Sequence, residues 1–382
     1  MSYLFSGWFV SYYPVSVRDK FFILIIKEEK VKGKTKKLML ITFVFSVFIL
    51  AGSGCGKDSN KDLTQPSNTG GGNDNSALQF SGTWIGTSES SVGNSSGNIR
   101  IVITQQGSTL NGSIDISYGF ESIGGSVKGT INGSNITFSD IENKLVFTGT
   151  ISGGSLSSGS YTYSSKKDKG TWQCRKINGS FTIIDSIKSP GMMPNGLTLD
   201  GKYFWIVATG EIYKIDSSGN TIATLNSPTF TAYSLAFDGN YLWVLGGAFD
   251  KKIYKLDAST GEIITSFNAP GDNPNGLAFD GVNMWSSDSS GKIYKLDSNG
   301  NVVAFFDCPV KKGIKTFDGK YFWSSEFPDW SGNGIIYRFD ISGNDITLFN
   351  SPGGRPTGLA FDGEYLWNAD WTDRKIYKLK IN

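Results

Sequence analysis

The chain has 382 residues, enough for two or three domains. It holds 48 glycines, 11 prolines and no histidine, so turns are many, and Ser-His-Asp catalysis, Cys-His catalysis and every histidine-based metal site are excluded. The formal charge of +2 comes from the first 55 residues, with 8 Lys and Arg against 3 Asp and Glu; beyond them 28 basic residues face 31 acidic ones, and so mildly acidic a body argues against a nucleic-acid partner.

Lys32, Lys34, Lys36 and Lys37 precede Leu38 to Leu50, a thirteen-residue run that is apolar except for Thr42 and Ser46. Ala51-Gly52-Ser53-Gly54-Cys55 follows. A charged n-region, an apolar h-region and small residues at a cleavage site are the parts of a secretory signal. The run is short for a bilayer span, so a plain membrane anchor is the weaker alternative. Residues 1–30 place aromatic and charged side chains ahead of the n-region, which suggests an over-extended start with initiation near Val31.

The cysteine directly after the small residues resembles the lipobox of bacterial lipoproteins. That resemblance implies acylation at Cys55, which becomes the mature N-terminus. Gly52, three residues before the cysteine, departs from the family's branched apolar residue. Residues 56–77 are polar and include Gly70-Gly71-Gly72. They read as a flexible tether with a reach of roughly 26 Å.

Residues 78–177 alternate apolar and polar residues in short runs, beginning near Phe80, Ile99, Ser113, Gly125, Asn135, Leu145, Gly154 and Lys169. Asn111-Gly112, Asn132-Gly133 and Gly153-Gly154 are turn signals. The pattern predicts a small antiparallel β barrel or sandwich. Gly82-Thr83-Trp84 resembles the Gly-x-Trp of lipocalins, whose tryptophan plugs one end of an eight-stranded barrel. The family's later arginine is loosely echoed by Arg175 near Trp172. Abundant Ser, Thr and Gly would leave either a ligand cavity or a narrow, solvated barrel.

From residue 181 to 382 one unit occurs five times. The openings run from Gly196 to Trp205, Ser234 to Trp243, Gly276 to Trp285, Gly313 to Trp323 and Gly358 to Trp367. The closings are Ile212-Tyr213-Lys214, Ile253-Tyr254-Lys255, Ile293-Tyr294-Lys295, Ile336-Tyr337-Arg338 and Ile376-Tyr377-Lys378. Successive tryptophans stand 38, 42, 38 and 44 residues apart. A period near 40 built of short strands and Asp-Gly turns predicts a β-propeller. The fifth unit ends after its third strand, while a fourth-type strand, Phe181 to Ile187, precedes the first unit. Five blades closed by that N-terminal strand leave no open edge. The fold class is therefore all-β, a small barrel or sandwich followed by a five-bladed propeller.

Pro-Asn-Gly-Leu-Ala-Phe-Asp-Gly at 274–281, Pro-Thr-Gly-Leu-Ala-Phe-Asp-Gly at 356–363 and the Ile-Tyr-Lys-Leu-Asp closings resemble the NHL and virginiamycin B lyase-like propellers of bacterial secreted proteins. The likeness implies architecture more than activity. The lyase relative needs a catalytic histidine, which is missing here. The cation-binding residues of gluconolactonase-like relatives cannot be matched, and no stretch carries the motifs of the five-bladed plant-type glutaminyl cyclases.

The repeated tryptophans and Asp-Gly pairs read as blade packing and tight turns. Cys174 is expected to point inward, and Cys308 fills a slot that is Ser or Ala in other blades; a disulfide between them would suit an oxidising compartment. No Cys-x-x-Cys or calcium-loop spacing occurs. Loops that depart from the repeat are the better functional candidates. The second-to-third-strand loop grows to Glu326 to Gly334 in blade four and to Asp370 to Arg374 in blade five, and the preceding connection adds Arg355. The candidate ligand-binding set is Glu326, Asp329, Trp330, Arg355, Asp370, Trp371, Asp373 and Arg374. No catalytic residue, metal or cofactor is assigned. The expected function is that of a lipid-anchored envelope protein acting as a ligand-binding or protein-interaction scaffold through the propeller face, its partner a polar small molecule, a glycan, a peptide or a protein. The alternatives are a lyase, lactonase or cyclase using carboxylates at the channel mouth, and a purely structural protein with collapsed loops.

Overall fold

The computed structural model describes residues 79–382, apart from 93–94, 119–120, 155, 248, 309–312 and 328–333. Within residues 1–74 it describes only the backbone of five strands, Tyr3–Phe5, Trp8–Val10, Tyr12–Val17, Lys20–Val31 and Lys34–Phe45. Cys55 and the tether lie outside the described residues. No helix among the described residues is long and apolar enough to cross a membrane.

Eight strands form the first body: Gly82–Ser90, Ser96–Gln106, Thr109–Tyr118, Glu121–Asn132, Asn135–Asp140, Leu145–Ser152, Leu156–Tyr163 and Asp168–Lys176. Each pairs antiparallel with its chain neighbours, and the last closes on the first from Gly170 opposite Ser90 to Lys176 opposite Trp84. It is an up-and-down barrel. The period of two decides its contents: Ile99, Ile101 and Ile103 are buried, and Val102 between them faces out. Aromatic rings pack the interior. Phe138 and Phe147 stack at 4.9 Å, and Trp172 meets both edge-on at 5.9 and 6.0 Å. Gly149 makes room for this, since a Cβ there would lie 2.7 Å from the Trp172 ring. Trp84 is fully buried and donates its indole N–H to the Phe80 carbonyl at 2.9 Å. Its basic neighbour is Lys176, 5.8 Å above the ring. Arg175, the residue expected from the sequence, lies one position out of phase, next to Tyr337 of the propeller.

Five four-stranded sheets form the second body. Blade three shows the pattern: Pro274–Phe279, Met284–Asp288, Lys292–Leu296 and Val302–Asp307. In blade five the outer strand is Phe181–Lys188, paired with Lys375–Ile381 at the other end of the sequence. The expected closure is the observed one.

The Asp-Gly turn does more than reverse the chain. In blade three Asp280 accepts the N–H groups of Val282 and Asn283 at 2.8 and 2.6 Å, and the Trp285 indole N–H at 2.6 Å. The same three-fold acceptance recurs at Asp200, Asp238, Asp318 and Asp362 toward Trp205, Trp243, Trp323 and Trp367. The following glycines have φ of 90° to 99°, which explains Gly there. Each tryptophan then packs into the next blade. Trp285 meets Phe322 at 5.2 Å, and Trp367 crosses back to Phe204 of blade one at 4.5 Å, completing the ring. The basic residue of the closing motif covers the same aromatic pair: Lys255 stands over Tyr241 and Trp243 at 3.9 and 5.1 Å.

The two bodies are continuous. Asn178 and Gly179 donate to the Leu348 carbonyl, and Leu348 donates to the Asn178 side chain, along the outer strand of blade four. Ile85, on the barrel's outer face, joins the cluster of Trp285, Cys308, Ile314 and Phe322. No disulfide joins Cys174 to Cys308: Cys174 lies in the barrel core and Cys308 between blades three and four.

Three outcomes are expected. Asp280→Ala strands a buried indole N–H and two turn amides, so it costs about 2 kcal/mol or more in urea unfolding; a loss below about 0.5 kcal/mol would refute the role given to the turn. Burial opposes ionisation of Asp200, Asp280 and Asp362, but the hydrogen bonds from turn amides and indoles prevail and hold all three carboxyls below their ordinary 3.8. A depressed folded pKa means stability that is complete above 3.8 and lost as pH falls through the lower folded values. Unfolding free energy measured downward from about pH 5 should drop steeply below 4, and less steeply in Asp280→Asn. Third, a chain beginning at Ser189 exposes the edge of Lys375–Ile381 and should aggregate, whereas one beginning at Asn178 should stay monodisperse on gel filtration.

Candidate functional site

Strand two of blade five, Leu366–Asp370, is buried along its whole length. It ends at Asp370, which takes no exposure to solvent. One Asp370 oxygen accepts the N–H groups of Thr372 and Asp373 at 2.9 and 2.8 Å. The other accepts the Arg355 N–H at 2.8 Å, and Trp371 N–H returns a bond to the Arg355 carbonyl at 2.9 Å. The 2–3 loop and the incoming 4–1 loop are therefore tied together on one face. Asp373 accepts the Tyr377 hydroxyl at 2.6 Å. Gly353 closes the arrangement: a Cβ there would lie 2.3 Å from one Asp370 oxygen and 2.8 Å from an Asp373 oxygen. The two carboxylates converge on that point.

Desolvation raises the Asp370 carboxyl above its usual range; the charge of Asp373 adds to this, and the three amide bonds work against it. Burial likewise pushes the Tyr377 hydroxyl up, helped by its bond to Asp373. Burial lowers the Arg355 guanidinium, and the Asp370 charge opposes that. The guanidinium stands 4.5 Å from the Trp371 ring centre and 5.3 Å from that of Phe327.

The structure thus brings together Arg355, Asp370, Trp371 and Asp373. Glu326 ends the equivalent strand of blade four and accepts the Tyr337 hydroxyl at 2.7 Å. Arg374 is exposed, with φ of 53°, and its carbonyl accepts Ser189 N–H. Asp329 and Trp330 lie outside the described residues. Sequence reasoning passed over Asp288, which holds the place of Glu326 and Asp370 in blade three. Asp288 accepts Ser290 N–H at 3.0 Å and the Tyr294 hydroxyl at 3.0 Å. Burial and that bond push the Tyr294 hydroxyl up to about 12. The signal was present in Met284-Trp285-Ser286-Ser287-Asp288 against Phe322-Trp323-Ser324-Ser325-Glu326. In blades two to five the tyrosine of the closing motif donates to a carboxylate at or in the loop before its strand, so these acids brace loops first; in blade one Tyr213 donates to Glu211 of its own strand. Among the described residues no group of three or more acidic or cysteine side chains is arranged to hold a metal ion.

No protein-family model matches the chain, and no curated protein sequence does. Among solved structures, the glutaminyl cyclase of Myxococcus xanthus is similar over 54% of this chain and 98% of its own, with a TM-score of 0.46 and 11% identity. The calcium-binding protein regucalcin of Agrobacterium tumefaciens is similar over 53% of this chain and 97% of its own, with a TM-score of 0.38 and 16% identity.

The two classes of tryptophan should separate in melting experiments. Trp285 is buried between blades, and Trp285→Ala should cost about 3–5 kcal/mol. Trp371 is partly exposed and rests on one guanidinium, so Trp371→Ala should cost about 1 kcal/mol. Equal losses in thermal or urea unfolding would show that Trp371 is a core residue.

Proposed function

We propose that the chain is a lipid-anchored protein of the cell envelope whose propeller binds a ligand through the rim of blades four and five. The observation that carries this reading is the Arg355 guanidinium against Trp371 and Phe327, on a backbone that Asp370 fixes through the Arg355 N–H. A flat cation on aromatic faces, flanked by the exposed Asp373 and Arg374, suits a polar ligand with an apolar face, such as a glycan or a peptide. The carboxylates nearby are occupied by their own loop amides and tyrosines, which favours recognition over acid–base chemistry. The export part of the proposal rests on the lysine-rich, apolar and small-residue series that ends at Cys55.

A second reading, a propeller enzyme of lyase, lactonase or cyclase type, is favoured by one observation: Asp370 is desolvated and Asp373 converges on it. The two readings part on Asp373→Asn. That change should leave ligand binding largely intact if the rim only recognises, and abolish turnover if the pair is catalytic.

Binding of the full chain to glycan and peptide arrays should fall about 30-fold, or about 2 kcal/mol, in Arg355→Ala and Trp371→Ala, with melting little changed. Unchanged affinity in both variants would move the binding site elsewhere. Intact mass of the membrane-extracted protein should show a mature chain beginning at an acylated Cys55, and Cys55→Ser should release the protein from membranes; a soluble mature chain beginning elsewhere would defeat the anchoring part alone.

A further inference from the structure

In four blades ten residues run from the small residue that opens the unit to the tryptophan: Gly196 to Trp205, Ser234 to Trp243, Gly276 to Trp285 and Gly358 to Trp367. Blade four takes eleven, from Gly313 to Trp323. The pairing of strands one and two shows where the extra residue goes. In the other blades the register slips at the start of strand one, as between Pro274 and Gly276. In blade four it slips between Ile314 and Thr316. Ile314 stands opposite Ser324, the place that Leu277 takes opposite Ser286, and the core on either side is preserved. The surplus residue, Lys315, is left out of the ladder as a bulge.

Strand one is the inner edge of every blade, so that bulge lies on the central channel. Lys315 lines a cavity of about 150 Å³ there with Thr198, Phe237, Phe279, Thr316 and Phe361. Among the described residues no other one lining the cavity is titratable. The ammonium donates to the Asn275 carbonyl at 3.0 Å and makes no salt bridge among the described residues. An ammonium has three N–H donors, so a single carbonyl leaves two to satisfy. Asp318, the carboxylate closest along the chain, is taken up by its turn and by Trp323. Lys315 is half-buried, and even partial burial without a counter-charge is costly for a cation. Its effect is visible in the side chain's acidity, which burial pulls down to about 8.

We infer that the central channel is a binding site for a small oxyanion, held by Lys315. The class is a short carboxylate or an inorganic oxyanion: the charge complements the ammonium, and a cavity of about 150 Å³ accommodates a few heavy atoms. This site is separate from the rim of blades four and five and does not depend on the reading given to it.

The test is calorimetric titration of the full-length chain in detergent with sodium acetate, sodium phosphate and sodium sulfate, over a chloride background. One-site, saturable binding of any of the three is expected at about pH 6.5, weakening as Lys315 deprotonates above about 8. Lys315→Met should weaken it at least tenfold and should raise the melting temperature of the ligand-free protein, because the uncompensated charge is gone. Acetate alone would identify a carboxylate site, and phosphate or sulfate alone an inorganic one; either supports the inference. Absence of saturable binding with all three anions would overturn it, as would binding that Lys315→Met leaves within about threefold of wild type. Should Lys315→Met fail to fold, the wild-type pH series decides: affinity that does not change between about pH 6.5 and 9.5 overturns the assignment.

Discussion

The propeller depends on one repeated interaction, an aspartate that accepts both amides of its own turn and the indole N–H of a tryptophan five residues on. With Asp280 the three bonds run from 2.6 to 2.8 Å. A tryptophan can be buried only if its N–H finds an acceptor. The turn supplies that acceptor at a fixed distance along the chain. The indole is thereby aimed across the blade boundary, where it meets the next sheet. Local turn chemistry and long-range packing are thus one constraint, repeated around the ring. The lysine or arginine of the closing motif stands over that tryptophan in every blade, and over a neighbouring tyrosine as well in all but blade three, so three sequence features that look independent serve one cluster.

Closure has a different origin. Four-stranded sheets side by side would leave a last sheet with an unpaired edge. The strand Phe181–Lys188 fills that edge and joins the two ends of the propeller by main-chain hydrogen bonds. The same segment continues into the barrel, and Asn178 and Gly179 bind the outer strand of blade four on the way. Phe181 stacks on Phe349 at 4.4 Å, so the closing strand also packs against blade four.

The rim and the channel use the same scaffold in opposite ways. At the rim, carboxylates are buried where backbone amides and tyrosine hydroxyls can satisfy them, and this stiffens the loops that carry Arg355 and Trp371. In the channel, a basic group is half-buried with one carbonyl for company. The first arrangement holds a surface still. The second leaves an electrostatic demand unmet by the protein itself.

Five blades, their order and their closing strand were legible in the sequence, because a period near 40 and an unmatched fourth strand are local patterns that survive without coordinates. The eight barrel strands were legible for the same reason: alternation of apolar and polar residues is a property of each strand. Whether those strands made a barrel or a sandwich was not, since that turns on the pairing of Asp168–Lys176 with Gly82–Ser90 across the whole domain. The enlarged loops were visible as departures from the repeat, and Arg355, Asp370, Trp371 and Asp373 could be named. Their meeting at Gly353 could not, because it joins two loops that come from different blades. Lys315 shows the limit most plainly. Its extra position can be counted in the sequence, but a one-residue insertion can be absorbed in a turn as easily as in a strand. Only the register of Ile314 and Thr316 against strand two put it in the channel, where the surrounding first strands half-bury its charge.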